Sequence, residues 1–115
     1  MATVGHADAK QMPGAKIVRL ADTVNYQDGA VVSRTVVKRA TSTITIFAFD
    51  AGQGLSEHTA SFDALVQILE GRAEITISGQ RFQLQSGDAI VLPAHQPHAV
   101  NADSAFKMLL TMIRS

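Results

Sequence analysis

Apolar and polar residues alternate along this chain in short runs, and glycine-containing turns close the runs. β-Branched and aromatic residues concentrate in Ala30 to Val37, Ser42 to Phe49, Ala64 to Leu69, Ala73 to Ile77, Arg81 to Leu84, Ala89 to Leu92, His98 to Val100 and Phe106 to Ile113. Runs of this length and period predict strands, and almost no segment repeats its apolar residues at the spacing of an amphipathic helix. Ser78-Gly79-Gln80 and Ser86-Gly87-Asp88 predict tight turns between antiparallel neighbours, because glycine adopts positive φ without a Cβ clash. The run Ala89-Ile90-Val91-Leu92 is apolar on both faces, and Leu65 to Leu69 is so except at Gln67. Strands covered on both sides belong in a two-layer barrel or sandwich, so the expected fold class is all-β. Residues 1–16 are small, polar and aperiodic, which predicts a flexible N-terminal arm ahead of one barrel domain over residues 17–115.

Composition narrows the function. The chain has 115 residues, the length of one domain with one core. It contains no cysteine, which excludes a disulfide framework, a thiolate zinc site and a cysteine nucleophile and makes the cytoplasm the expected location. No stretch reaches the roughly 18 apolar residues of a membrane span, and the N-terminus lacks the apolar core of a signal peptide. Ten basic residues balance ten acidic ones, so no net field draws nucleic acid or anionic lipid. The expected partner is a small-molecule ligand, with no nucleic acid and no membrane. Arg34, Lys38 and Arg39 occupy a stretch without acidic residues, which reads as charge on a solvated edge strand rather than as an anion site.

Two segments carry a more specific pattern. The first runs from Gly52 through His58, Ala60 and Ala64 to Gly71, and the second is Gly87-Asp-Ala-Ile-Val-Leu-Pro93-Ala-His95-Gln-Pro97-His98. Together they resemble the two motifs of the cupin family, in which a glycine precedes a His-x-His pair, a glutamate and a glycine, and a later glycine precedes a proline and a histidine. The resemblance covers residues 52–98 and implies a double-stranded β-helix, the cupin jelly-roll barrel. It also implies a divalent transition metal inside the barrel, held by the paired histidines, the glutamate and the later histidine. Here His58 keeps the first ligand place and His98 the last, whereas Ala60 and Ala64 stand where the second histidine and the glutamate belong. His95 stands where the family often has glycine, and turned inward it would make a third histidine ligand. Asp63, one residue before the carboxylate place, would need a bulge to face inward. The implied metal residues are thus His58, His98 and His95, and the implied cofactor is one divalent transition metal (zinc, iron, manganese, nickel or copper) or none.

Other signatures are absent: no G-x-S-x-G elbow surrounds Ser56, no phosphate-binding loop occurs, and with no tryptophan and one tyrosine there is no stacking platform for single-stranded nucleic acid. Three functions follow. The foremost is a small barrel that binds a small organic ligand, a divalent metal, or both, through His58 and His98, with Val66, Ile68, Ile90 and Leu92 lining an apolar cavity by strand parity. The second is a metal-dependent dioxygenase or decarboxylase acting on a small carbonyl or carboxylate substrate. The third is a dimeric structural or sensor module. A homodimer is expected, with Gln67 on the outward parity at a covered surface or subunit contact.

Overall fold

The computed structural model describes the backbone of Val4–Asp8 and residues 11–114 in full. Residues 1–3, 9 and 10 of the expected arm, and the side chain of His6, lie outside the described residues. Ten strands form: β1 Val4–Asp8, β2 Val31–Lys38, β3 Ser42–Phe49, β4 Gly54–His58, β5 Ala64–Glu70, β6 Arg72–Ile77, β7 Gln80–Gln85, β8 Ala89–Leu92, β9 His98–Asn101 and β10 Phe106–Ile113. A 3-10 turn spans Leu20–Thr23, and no helix among the described residues is long and apolar enough to cross a membrane. A six-stranded sheet has the order β1-β2-β3-β10-β5-β8, and a four-stranded sheet the order β4-β9-β6-β7. All pairings are antiparallel except β1 with β2, which run parallel.

Eight of these strands follow from the apolar runs, and two do not. β4 has one large apolar residue, Leu55, and no β-branched residue, so its extended form comes from pairing with β9 rather than from its own preference. β1 lies beyond β2, which makes β2 an interior strand. That position alters the part played by the basic stretch. Arg34 donates to the Thr23 carbonyl and Arg39 to the Gln11 side chain, so these cations hold the preceding segment instead of guarding a free edge.

The inner faces of the two sheets meet in one apolar layer that includes Val31, Phe49, Val66, Ile75, Phe106 and Met108. The Phe49 and Phe106 rings stack at 4.6 Å between centroids. Burying side chains of this size stabilises by about 1.5–3 kcal/mol each. Gly71 turns the chain from β5 into β6 at φ +78, where a Cβ would collide with the Ala105 carbonyl and Phe106. That crowding gives the final glycine of the first motif a backbone reason.

The outer face of the larger sheet is covered in part by the segment from residue 11 to 30. Val24 fills a second cluster with Val32, Ile46 and Ala48, against which Met12, Leu20 and Tyr26 pack. Its polar fastening is Lys107 of β10, which is buried. Lys107 donates to the Ala21 carbonyl at 2.6 Å, lies 3.8 Å from the Glu70 carboxylate and sits over the Tyr26 ring. The Tyr26 hydroxyl donates to the same carboxylate at 2.6 Å. Burial, then the hydrogen bond to Glu70, then its charge, push the Tyr26 hydroxyl well above its ordinary 10.0.

A raised phenol pKa means that the unfolded chain loses this proton before the folded one does. Stability from this source is complete below pH 10 and falls as pH rises beyond it. Tyr26 is the single tyrosine and the chain has no tryptophan, so tyrosinate absorbance reports this residue alone. The expected result is that native protein develops that absorbance only at a pH where the urea-unfolded chain is already ionised. The Tyr26→Phe variant is expected to lose less stability between pH 9 and 11 than the parent.

Candidate functional site

β9 presents His98 to the interior on the same parity as Val100, because Ile77 and Ile75 of β6 face these two residues across the ladder. On its other side β9 pairs with β4, where Leu55 lies opposite Val100. Strict alternation from Leu55 would bring Glu57 opposite His98. The register shifts between Leu55 and His58 instead, and His58 becomes the partner of His98. One extra residue on β4 is a β-bulge, a device that re-aims a side chain without breaking the sheet. Gly54 allows this pairing, since a Cβ there would run into the Val100 carbonyl oxygen.

The two imidazoles meet edge to face, with their Nε2 atoms 3.1 Å apart. Each is steadied from behind by a carbonyl two residues earlier in its own strand or turn. His58 Nδ1 lies 2.8 Å from the Ser56 oxygen, and His98 Nδ1 lies 3.2 Å from the Gln96 oxygen. Carbonyl oxygens only accept, so these contacts place a proton on each Nδ1 and leave each Nε2 with a lone pair. The row of carbonyl, two rings and carbonyl contains three contacts, and two neutral imidazoles carry two protons. The missing one belongs between the Nε2 atoms, which marks that point as a place for one positive charge or for a donor brought by a ligand. Burial, and secondly the neighbouring His58, lower the His98 pKa from its ordinary 6.5, against the smaller raising effect of the Gln96 carbonyl. His98 is therefore neutral at pH 7, with its Nε2 lone pair available.

The other sequence-derived residues are placed differently. His95 is exposed, in the turn between β8 and β9, at φ +65 with its backbone N–H donating to the Ala60 carbonyl at 2.7 Å. That left-handed conformation is why glycine suits this place and why histidine, one of the residues that tolerates it, can stand there. Asp63 accepts from the Ala94 N–H at 2.8 Å, so its carboxylate ties the same turn to the loop after β4. Ala64 is buried between Leu92 and Met112, its inward methyl part of the core. Among the described residues, no three histidine, aspartate or glutamate side chains come together as a metal cluster. The structure thus unites His58 with His98 and does not bring His95 to them. Val66, Ile68 and Leu92 are closely packed in the core, with Ile90 half-buried against it. Gln67 is exposed on the outer face.

Comparison with known proteins bears on the fold and the motifs together. The cupin-domain family model (Cupin_2) matches residues 45–114. A conserved protein of unknown function from Streptococcus pyogenes is 39% identical, with a TM-score of 0.87 over 92% of this chain and 93% of that one. A cupin superfamily protein from Desulfitobacterium hafniense is 30% identical, with a TM-score of 0.86 over 95% of this chain and 100% of that one. Salicylate 1,2-dioxygenase from Pseudaminobacter salicylatoxidans shares the fold at a TM-score of 0.68 and 18% identity, over 72% of this chain and 26% of that one. No curated protein matches the chain in sequence. With the family pattern matched over more than half its length, and a barrel whose β4 and β9 carry the first and last histidines of that pattern, this chain belongs to the cupin family.

Proposed function

We propose that this cupin is a binding barrel that takes a small organic ligand together with a divalent transition metal at His58 and His98, the protein supplying two imidazoles and the ligand supplying other donors. The observation that carries this reading is the convergence of two Nε2 atoms at 3.1 Å, each ring braced through Nδ1 by a carbonyl. Imidazole–metal bonds are about 2.0–2.1 Å long, so two nitrogens on one ion must lie within about 4.2 Å of each other, and these do. Bracing of the second ring nitrogen is what orients metal-binding histidines generally. The donor set therefore fits two positions of an ion. It does not fit a complete protein shell, because Ala60 and Ala64 offer no electron pair. When bound, a divalent ion would polarise an oxygen of the ligand. His58 and His98 would hold and orient it, and the exposed side of His58 leaves the ligand a way in.

Isothermal titration of untagged protein with nickel, with oxalate as a chelating probe, tests the reading. Oxalate is expected to bind when nickel is present and not in its absence, at one ion per chain. His58→Ala and His98→Ala should each weaken nickel binding more than tenfold while leaving the thermal midpoint within a few degrees. Oxalate binding of equal strength to metal-free protein, or nickel binding indifferent to both substitutions, would overturn it.

The neutral state of His98 has its own signature. In metal-free protein, the His98 ring is expected to titrate below 6.5 when followed by NMR. His58→Ala should move that midpoint upward, though not fully, because burial is the larger cause of the shift. The sign for stability follows from linkage: the unfolded chain takes up this proton first, so the contribution is present above pH 6.5 and fades as pH falls through the lower folded value.

A further inference from the structure

β7 and β8 are edge strands of the two sheets, and residues of both line one seam in the barrel wall. An opening of about 400 Å³ lies in this seam. Its floor is apolar: Ile77 and Phe82 come from the smaller sheet, and Ile90 and Pro93 from the larger sheet and the turn after it. Val91 forms the lip and is 52% exposed, one of few large apolar side chains so open to solvent among the described residues. Ser78, Gln80 and Gln96 complete the rim with one hydroxyl and two carboxamides. None of these lining residues is ionisable.

The chemistry of the opening selects its occupant. A charged group placed against this floor would lose hydration and meet no counter-charge, so the occupant is uncharged. Edge strands turn alternate backbone N–H and C=O groups away from their own sheet, and the rim carboxamides also donate and accept. A group that does both is therefore matched here, and a purely apolar one is not. The volume is at the lower end for small-molecule pockets, which suits one ring with a short substituent. We infer that the β7–β8 seam is a binding site for an uncharged single-ring molecule bearing a carboxamide- or phenol-like group. The site does not depend on a metal at the histidine pair, yet it adjoins that pair. Ser78 bonds the Gln96 side chain and, through its N–H, the Pro97 carbonyl, while the Gln96 carbonyl braces His98. Ile77 lies directly opposite His98 in the ladder.

Benzamide, benzoate and benzamidine share a ring and differ in charge, and each serves as a probe in NMR titrations of 15N-labelled full-length protein in EDTA. Benzamide is expected to shift the amide signals of Ser78, Phe82, Val91 and Gln96 saturably, and the two ions to bind at least tenfold more weakly. Val91→Lys, at an exposed position that leaves the core intact, should weaken benzamide at least fivefold and improve benzoate. His58→Ala should leave benzamide affinity within twofold. The inference is overturned if benzamide gives no saturable shift, if the ions bind as well as the amide, or if the shifts centre on His58 and depend on it. It is overturned too if the seam signals move with protein concentration alone, since a second copy would then cover the seam. Each of these failures leaves the nickel and oxalate result where it stands, so the two sites are judged separately.

Discussion

Between Leu55 and His58 the fourth strand carries one residue more than the strand it pairs with, and that difference in count decides which side chains enter the barrel. Without it, period-two alternation would turn Glu57 toward the interior and His58 away. A carboxylate would then lie beside a buried imidazole, and the site would be an acid–histidine pair. With the bulge, two imidazoles face one another and the acid stays in solvent. The bulge in turn requires β4 to approach β9 closely, which Gly54 permits at the Val100 carbonyl. Two loops secure the result from outside: Ala60 receives the His95 N–H, and Asp63 receives the Ala94 N–H. These bonds tie the exit of β4 to the turn that leads into β9, so the two histidines are held from both ends of their connection.

The larger sheet does different work on its two sides. Its inner face meets the smaller sheet in a layer without charge, and its outer face accepts the segment from residue 11 to 30 with a buried cation at the contact. A lone ammonium there would be costly. Lys107 is tolerated because a carbonyl, a carboxylate and an aromatic face all reach it. Glu70 remains partly in solvent, so the ion pair is screened and contributes little by itself. The hydrogen bond to Ala21 and the ring of Tyr26 do more to fix the covering segment, and they do so only when that segment follows the path observed.

Much of the fold was legible in the sequence because strand residues are stiff and two-faced. Runs such as Ser42 to Phe49 and Phe106 to Ile113 announce themselves by β-branched and aromatic content, and both are strands over those same residues. β4 was not legible: Gly54-Leu55-Ser56-Glu57-His58 has the composition of a loop, and only β9 makes it a strand. The pairing of His58 with His98 followed from motif spacing, although alternation alone would have misplaced His58. A bulge leaves no mark in an apolar pattern, and the motif spacing suggests one only at Asp63. His95 looked like a ligand because its side chain is capable of the chemistry, whereas its place is governed by a backbone demand for positive φ. Lys107 gave no signal either, since a cation amid an apolar strand ordinarily marks the solvent side, and its partners are 37 and 86 residues away in the chain.

The two alanines at ligand places have unequal consequences. Ala64 lies in the core between Leu92 and Met112, so a carboxylate there would be buried among apolar neighbours and would need a cation simply to be tolerated. With a methyl group instead, Ala64 completes the apolar interior and calls for no ion at that position. That frees the histidine pair from a structural task. Its rings stay oriented by the Ser56 and Gln96 carbonyls, which depend on the local turn of the chain and not on a completed shell. A complete shell would organise four side chains around an ion it already holds. Here the fold itself organises two side chains, and on the proposed reading the remaining positions would be filled by donors arriving with the ion. A half-complete shell of this kind favours exchange of an ion over its permanent retention, which accords with the binding role proposed above.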